Sequence, residues 1–600
     1  MPETMTNADN FWLCMDDPRN LMVIAAVMEF EEPLDYNRLY ATIDTRLACF
    51  PRFKKKVQRP ISGIGAAKWV TDKNFDLRSH IHRIGLPASG QKSDLEEVIS
   101  ALQTKSLDYN KPLWDIHLIE NYGKGCALFF RIHHCMADGI ALVHVLLSTA
   151  DTDPDAPWPE TKPVPSKRAS DFAPLFVFNS MLGSAKDMVS AGQKMGKTII
   201  KEARKILTKP GYLKDWGKLS AHISADAAKV LSKHTIMPSD PKTAFKGRLG
   251  IQKRMIWTEP IPLDKIKKVG KAISTTTLND VLVATVTGAM RRYLKTRNTP
   301  VNELDLHVAV PVNIRRAGRE FELGNKFSLV FLRLPIYLDD PVLRLKEVKR
   351  RMDQLKFSPD PYINFGLLST IGALPAPLVQ RAAKIFGDKA SGVLTNVPGP
   401  KETLYFAGKK IANFMFWVPR SGMIGLGVSI MSYNGNVTIG IACDDRLMPD
   451  PETMLQGFEE EFNELIELVQ SGKIYDEPLV INDRYKESKE QPNVAVGSSN
   501  LSEPYGISEK FSDQELSDQE PDNLKSDKTI SSSLDESSDE LNQLNGDGKS
   551  PSQCQATTKT GKRCLKTALA NSNYCHVHQE YQEKDALLKD VEQIMREIAN

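Results

Sequence analysis

The chain has 600 residues and a mass of 67.0 kDa, too much for one core at about 100–200 residues per domain. Hydrophobic residues make up 41% and charged residues 26%, ordinary for a globular chain and unlike collagen-like or low-complexity compositions. The 78 basic and 75 acidic residues leave a net charge of +3, so the total implies no strongly charged partner. Eight cysteines are too few for a secreted disulfide scaffold. No apolar run reaches the roughly 18–20 residues of a membrane span. The opening MPETMTNADN lacks the basic and apolar regions of a secretory signal. The expected location is cytoplasmic.

In chain order, Ala127 to Ile132 (ALFFRI) reads as a buried strand and Ile140 to Ser148 as the helix after it. Asp151 to Pro165, rich in Pro and Asp, reads as an extended connection. Met181 to Leu207 has apolar residues near a 3.6 period beside six basic residues. It is read either as a helix lying on an anionic membrane surface or as one packed on the body with a solvated basic side. Leu304 to Val312 and Phe327 to Ile336 are strand-like, and Asp339 to Phe357 is an amphipathic helix. Gly427 to Met431 and Val437 to Ala442 flank Tyr433-Asn434-Gly435-Asn436, a hairpin signal because Asn-Gly accepts positive φ. The alternation predicts α/β layers. Arg484 to Ser550 holds 7 basic against 15 acidic residues and the near-repeat SDQELSDQE. It has too little apolar surface to offset its chain entropy and reads as an acidic disordered linker. The expected organisation is 1–150, 151–260 (a Pro-rich crossover with basic helices), 261–483, the linker 484–550, and a small piece at 551–600.

The stretch that points to chemistry is Arg131-Ile132-His133-His134-Cys135-Met136-Ala137-Asp138-Gly139. A buried strand ends in two histidines, an aspartate follows, and a glycine opens a helix. A strand end can hold an imidazole at the mouth of a cleft, and an imidazole with a pKa near ~6.5 can take a proton at neutral pH. Asp138 is expected to orient a ring or to stabilise the turn, and Gly139 to permit a tight exit. Cys135 invites a covalent reading, but neighbours on an extended chain face opposite ways. Walker A, GxSxG and dinucleotide-binding fingerprints are missing from the sequence.

HHCMADG resembles the HHxxxDG signature of CoA-dependent acyltransferases. Several further motifs stand in order. They are NFWLCMDDPRNLM near the start, Pro112-Leu113-Trp114, Asn279-Asp280, Pro311-Val312-Asn313 with Arg315, Gly324-Asn325, and Asn396-Val397-Pro398-Gly399-Pro400. Together they resemble the bacterial wax ester synthase/acyl-CoA:diacylglycerol acyltransferase family over residues 1 to about 475. The resemblance implies two chloramphenicol-acetyltransferase-like α/β domains around a central channel. It implies acyl transfer from acyl-CoA to a long-chain alcohol or diacylglycerol, with His134 as general base, no acyl-enzyme and no catalytic cofactor. His133 and Asp138 are then structural or orienting, and Arg315 is an ion partner for Asp138. Asn279 is an oxyanion or substrate contact, or else a helix cap. Pro112, Leu113, Trp114 and Asp280 are assigned to substrate binding, although Trp114 also suits wall or core. The expected partners are acyl-CoA, the lipid acceptors and a membrane or lipid-droplet surface, with no nucleic acid. The HHxxxDG motif is shared with condensation domains, which leaves amide or ester formation on carrier-bound thioesters as the alternative.

The C-terminal piece departs from that pattern. Cys554, Cys564 and Cys575 fall within 22 residues, and His578 completes a Cys-x2-His. Three thiolates and an imidazole would fill a tetrahedral structural Zn2+ site, with His576 as the other candidate nitrogen. Apolar positions between Lys584 and Ile598 suggest a short self-association helix.

Overall fold

A computed structural model describes residues 2–60, 66–159, 239–273, 276–315, 323–356, 358, 360–372 and 376–472. The expectations for 181–207, the acidic linker, the cysteine-rich piece and the terminal helix lie outside the described residues.

The first half contains α1 (Asn7–Cys14), β1 (Val23–Phe30), β2 (Ile81–Gly85), α2 (Lys92–Gln103), β3 (Trp114–Tyr122), β4 (Gly125–His133) and α3 (Gly139–Ser148). The second half contains β5 (Lys253–Trp257), α4 (Leu278–Thr296), β6 (Leu306–Asn313), β7 (Phe327–Leu334) and three helices, α5 (Pro341–Lys356), α6 (Asp360–Ile371) and α7 (Ala376–Gly387). It continues with β8 (Gly392–Pro398), β9 (Asn413–Trp417), β10 (Leu426–Tyr433), β11 (Asn436–Asp444) and α8 (Glu452–Gln470). The first sheet runs β9-β1-β4-β3-β2 and the second β7-β6-β8-β10-β11-β5, both with parallel and antiparallel neighbours.

Strand β4 (GCALFFRIH) is buried at every position, as its unbroken apolar run implies. Its one charge, Arg131, makes a two-point ion pair with Asp115 on β3 at 2.9 and 2.7 Å, which satisfies the guanidinium inside the sheet. The Asn-Gly hairpin forms as expected. Asn434 and Gly435 have φ of 47° and 76°, and Tyr433 faces Asn436 across β10 and β11. Helix α4 is buried along most of its length because its sequence, LNDVLVATVTGAM, is apolar on nearly every face.

The two sheets exchange edges. Strand β9 (NFMFW) lies in the second half of the chain but pairs with β1, Asn413 to Trp417 opposite Glu29 to Ala25. In return, α2 packs on β5, where Ser100 Oγ accepts from the Met255 N–H at 2.9 Å. Both crossings fall away from the simple boundaries read from the sequence. Strands as short as NFMFW and KRMIW suit either sheet, and only long-range pairing decides between them. The edge exchange ties the halves into one compact body. No helix among the described residues is long and apolar enough to cross a membrane.

Candidate active site

Strand β4 ends at His133, and the turn His134 to Ala137 leads into α3. The two histidines face different surroundings. His133 accepts the Cys135 N–H on Nδ1 at 3.1 Å, so its Nε2 carries the proton, 3.3 Å from the Tyr109 hydroxyl. Tyr109 in turn donates to Asp16 at 2.8 Å. The His133 backbone N–H donates to the Leu113 carbonyl at 2.9 Å. His133 is therefore locked inside the first half, consistent with a structural part.

His134 faces the other way, into a cavity of about 1170 Å³ counting its open space. Its ring stacks on Trp12 at 4.2 Å and packs against Phe327 at 5.4 Å. The tautomer follows from its neighbour. Asn325 Nδ2 donates to Asp9 Oδ1 and to the His134 carbonyl, both at 2.9 Å. That fixes the amide, so its Oδ1 is the atom 2.9 Å from His134 Nδ1. Nδ1 must carry the hydrogen, and Nε2 keeps its lone pair. Asp9 also accepts the Asn325 backbone N–H at 3.1 Å. The His134 ring is thus oriented by a relay from α1 through a residue of the second half, 191 positions away.

Burial pushes the His134 pKa down to about 4, opposed by the nearby Asp138 charge. The imidazole is neutral at pH 7, as a proton acceptor must be. Cys135 is fully buried and its thiol is held well above the ordinary range by desolvation. It stays protonated and is unsuited to nucleophilic attack.

Asp138 does not bond the His134 ring. One oxygen accepts from Ala141 N–H at 3.0 Å and caps α3. The other accepts from Lys326 N–H at 3.0 Å and pairs with Arg315 at 2.6 Å. Both side chains of that ion pair are buried, and it links the histidine turn to the β6–β7 connection. Gly139 is not in the left-handed region, so a tight exit is not its reason. It lines the cavity, and a Cβ there would stand 3.3 Å from Val418. The missing side chain leaves room for a ligand.

The remaining motif residues sit elsewhere. Pro112, Leu113, Trp114, Asn279 and Asp280 are not among the residues lining the cavity. Trp114 is core: its Nε1–H donates to Phe53 O at 2.9 Å and its ring stacks on His80. Asn279 is not the helix cap. Thr277 caps α4, and Asp280 completes a capping box by accepting the Thr277 N–H at 2.8 Å. Asn279 accepts from Asn396 Nδ2 at 2.6 Å and its own Nδ2 lies 3.8 Å from Met352 Sδ. Asn325 belongs to the Gly324-Asn325 motif, to which the sequence assigns no role, and Asp9 stands one residue before the N-terminal motif.

The cavity wall is largely hydrocarbon, from Phe11, Leu329, Leu367, Ile371, Val397 and Phe416 among others. Such a lining suits alkyl chains and keeps water from a reacting thioester. An imidazole with a free lone pair, set in the wall of an apolar cavity, can deprotonate a hydroxyl group there.

Comparison with known proteins agrees. The wax ester synthase/diacylglycerol acyltransferase catalytic domain matches residues 5–282, and the WS/DGAT C-terminal domain matches residues 323–466. Among named relatives, the "probable diacyglycerol O-acyltransferase tgs1" of Mycobacterium tuberculosis (strain H37Rv) is 26% identical over 459 residues, covering 76% of this chain and 93% of that protein. The "probable diacyglycerol O-acyltransferase tgs2" of the same strain is 27% identical over 438 residues, covering 70% and 88%. The solved wax ester synthase/diacylglycerol acyltransferase from Marinobacter aquaeolei VT8 superposes with a TM-score of 0.55 at 21% identity, covering 78% of this chain and all of that one. With both halves matched in order, the chain belongs to the wax ester synthase/diacylglycerol acyltransferase family and is an acyl-CoA-dependent acyltransferase.

Proposed function

We propose that the protein joins a long-chain fatty acyl group, taken from acyl-CoA, to a long-chain alcohol or to diacylglycerol, with His134 as the base. The observation that carries this is the Asp9–Asn325–His134 relay, which leaves Nε2 unprotonated at the wall of an apolar cavity. The acceptor hydroxyl gives its proton to Nε2 as its oxygen attacks the thioester carbonyl. The tetrahedral intermediate then reforms the carbonyl, the C–S bond breaks, and the Nε2 proton goes to the CoA thiolate. A thioester is already activated, so alignment and proton transfer suffice, with neither an enzyme-bound acyl group nor a cofactor. His133, Asp138 and Arg315 hold the turn that presents the ring. Wax ester and triacylglycerol are the products, and the polarity of these substrates places the working enzyme at a membrane or lipid-inclusion surface.

The test follows CoA release from palmitoyl-CoA with hexadecanol, dipalmitoylglycerol or hexadecylamine, with the products identified by mass spectrometry. Ester formation with CoA release only when acceptor is present supports the reading. Release without acceptor, or amide in preference to ester, contradicts it. For the C-terminal piece, Cys554, Cys564, Cys575 and His578 remain the proposed ligands of one structural zinc. Metal analysis of the full chain beside a Cys554→Ser/Cys564→Ser variant reads this directly: equal zinc in both rejects the ligand set.

A further inference from the structure

The relay that orients His134 ends on a charge. Asp9 is fully buried. Its Oδ1 takes two hydrogens from Asn325, one from the backbone N–H and one from Nδ2. Its Oδ2 faces Arg52 Nη1 at 3.4 Å, and Arg52 is the one cation paired with Asp9 among the described residues. Arg52 stands on the short turn Pro51–Lys54, apart from the strand and turn that carry the histidines. Its guanidinium lies over the ring of Trp69, 4.3 Å from the centroid, and Trp69 is wholly buried on the strand Lys68–Thr71. The other anion near it, Glu3, is 3.9 Å away and half exposed. A guanidinium keeps its charge at any working pH, and its flat group stacks on an aromatic face. Arg52 is thus a fixed charge, held by an indole and directed at the buried end of the relay. Neither Arg52, Asp9 nor Asn325 is among the residues lining the cavity.

The sense of the relay depends on that charge. An ionised carboxylate only accepts hydrogens, so it turns the Asn325 amide with Nδ2 toward Asp9 and Oδ1 toward His134 Nδ1. A protonated carboxyl group donates as well as accepts and no longer forces that choice. A buried carboxylate stays ionised beside a compensating charge; without one it takes up a proton. Once the amide can turn, Nδ2 can meet His134 Nδ1. That nitrogen then accepts, and the ring hydrogen moves to Nε2, the atom the proposed reaction needs free. The His134 carbonyl also accepts from Nδ2 and opposes the turn, so the result is a mixture of tautomers and not a full reversal.

We infer that Arg52 is a positioning residue for the acyl transfer: by holding Asp9 ionised it fixes the Asn325 amide, and so keeps the ring hydrogen of His134 on Nδ1. The inference rests on the base proposed above and adds to it a control point outside the cavity. Arg52 itself meets neither substrate.

The test uses the full chain with Arg52→Met, which keeps an apolar stem on Trp69, with Arg52→Lys, with Asn325→Ala, and with Arg52→Met and Asn325→Ala combined. The first readout is nitrogen NMR of protein isotope-labelled at the histidine rings, with His134 assigned by the signals lost in His134→Asn. Wild type is expected to carry the hydrogen on Nδ1, and Arg52→Met to show a second form with hydrogen on Nε2. The second readout is thiol release from palmitoyl-CoA with hexadecanol. Arg52→Met is expected to lower kcat about tenfold, with both KM values within about twofold of wild type. Arg52→Lys should recover most of the loss. In the Asn325→Ala background the same Arg52→Met change should cost less than about twofold, because the group it acts through is gone. His134 with hydrogen on Nδ1 alone in folded Arg52→Met overturns the inference. So does wild-type kcat in that variant, or a loss that persists undiminished in the Asn325→Ala background, as a merely structural residue would give. If Arg52→Met does not fold, Arg52→Met combined with Asp9→Asn takes its place, since it leaves no buried charge unpaired; wild-type kcat there overturns the inference equally. A tautomer change in a chain that makes no ester would reject the transferase reading and keep the part of Arg52; ester formation with tautomer and kcat indifferent to Arg52 would do the reverse.

Discussion

Asn325→Ala removes the group that sets the tautomer of the proposed base without touching the cavity wall. Asn325 is 4% exposed and does not line the cavity. Its side chain makes three hydrogen bonds, to His134 Nδ1, to the His134 carbonyl and to Asp9. Losing the Nδ1 partner forfeits about 0.5–1.5 kcal/mol and leaves a buried N–H unsatisfied at about 1–3 kcal/mol, unless the proton moves to Nε2. That shift of the proton blocks catalysis, because the lone pair then faces away from the substrate. Either route takes about 1.4–3 kcal/mol from the transition state, or roughly 10–100-fold in kcat, with little change in KM. The assay is thiol release from palmitoyl-CoA at saturating hexadecanol, beside a thermal unfolding curve. A folded Asn325→Ala protein with kcat within about twofold of wild type would refute the relay.

Four further outcomes follow from the same geometry. The acid limb of kcat/KM should fall near 4, well below an ordinary imidazole, because burial depresses His134; a limb at or above 6.5 contradicts the burial argument. The stability linkage has the matching sign. The folded-state pKa lies below the unfolded one, so between about 6.5 and about 4 the unfolded chain binds the extra proton and stability falls with pH. Denaturant titrations of wild type and His134→Asn should converge above that window and separate within it, with the variant losing less. Asp138→Asn removes the carboxylate charge that Arg315 faces in the interior, where side-chain exposure is 1% for Arg315 and 3% for Asp138; a loss of about 3–5 kcal/mol is expected in chemical denaturation, and an unchanged midpoint would deny the pair its bridging part. Gly288→Ala drives a methyl group into the Glu461 carboxyl, which holds Arg344 and Arg292 between α4, α5 and α8; a loss of about 1–3 kcal/mol follows, and wild-type stability would show that the helices part freely.

The local parts of this account were legible in the sequence and the long-range parts were not. An unbroken apolar run ending in His-His marked β4 and the proposed base, and Asn-Gly marked the β10–β11 hairpin. The Asp138–Arg315 pair, which the family resemblance implied, is present in the structure. Asn325 and Asp9 stand 316 positions apart, and no periodicity or turn rule connects such residues. The same holds for β9, whose four apolar residues after Asn413 suit any buried strand and whose partner is β1. Asn279 illustrates the opposite failure. Its place at the start of a helix suggested a cap, whereas Thr277 takes the cap and the Asn279 amide oxygen accepts from Asn396. Local propensity names an element; tertiary pairing decides what its polar groups do.

The central claim is that His134 removes the acceptor proton, and a single-turnover experiment on His134→Ala tests it most directly. Enzyme in excess over palmitoyl-CoA is mixed with hexadecanol, and CoA and hexadecyl palmitate are followed together. The account predicts a fall of about 10²–10⁴-fold in the rate of both, with palmitoyl-CoA binding and the unfolding temperature retained. Ester formation at the wild-type rate in the folded variant would contradict it.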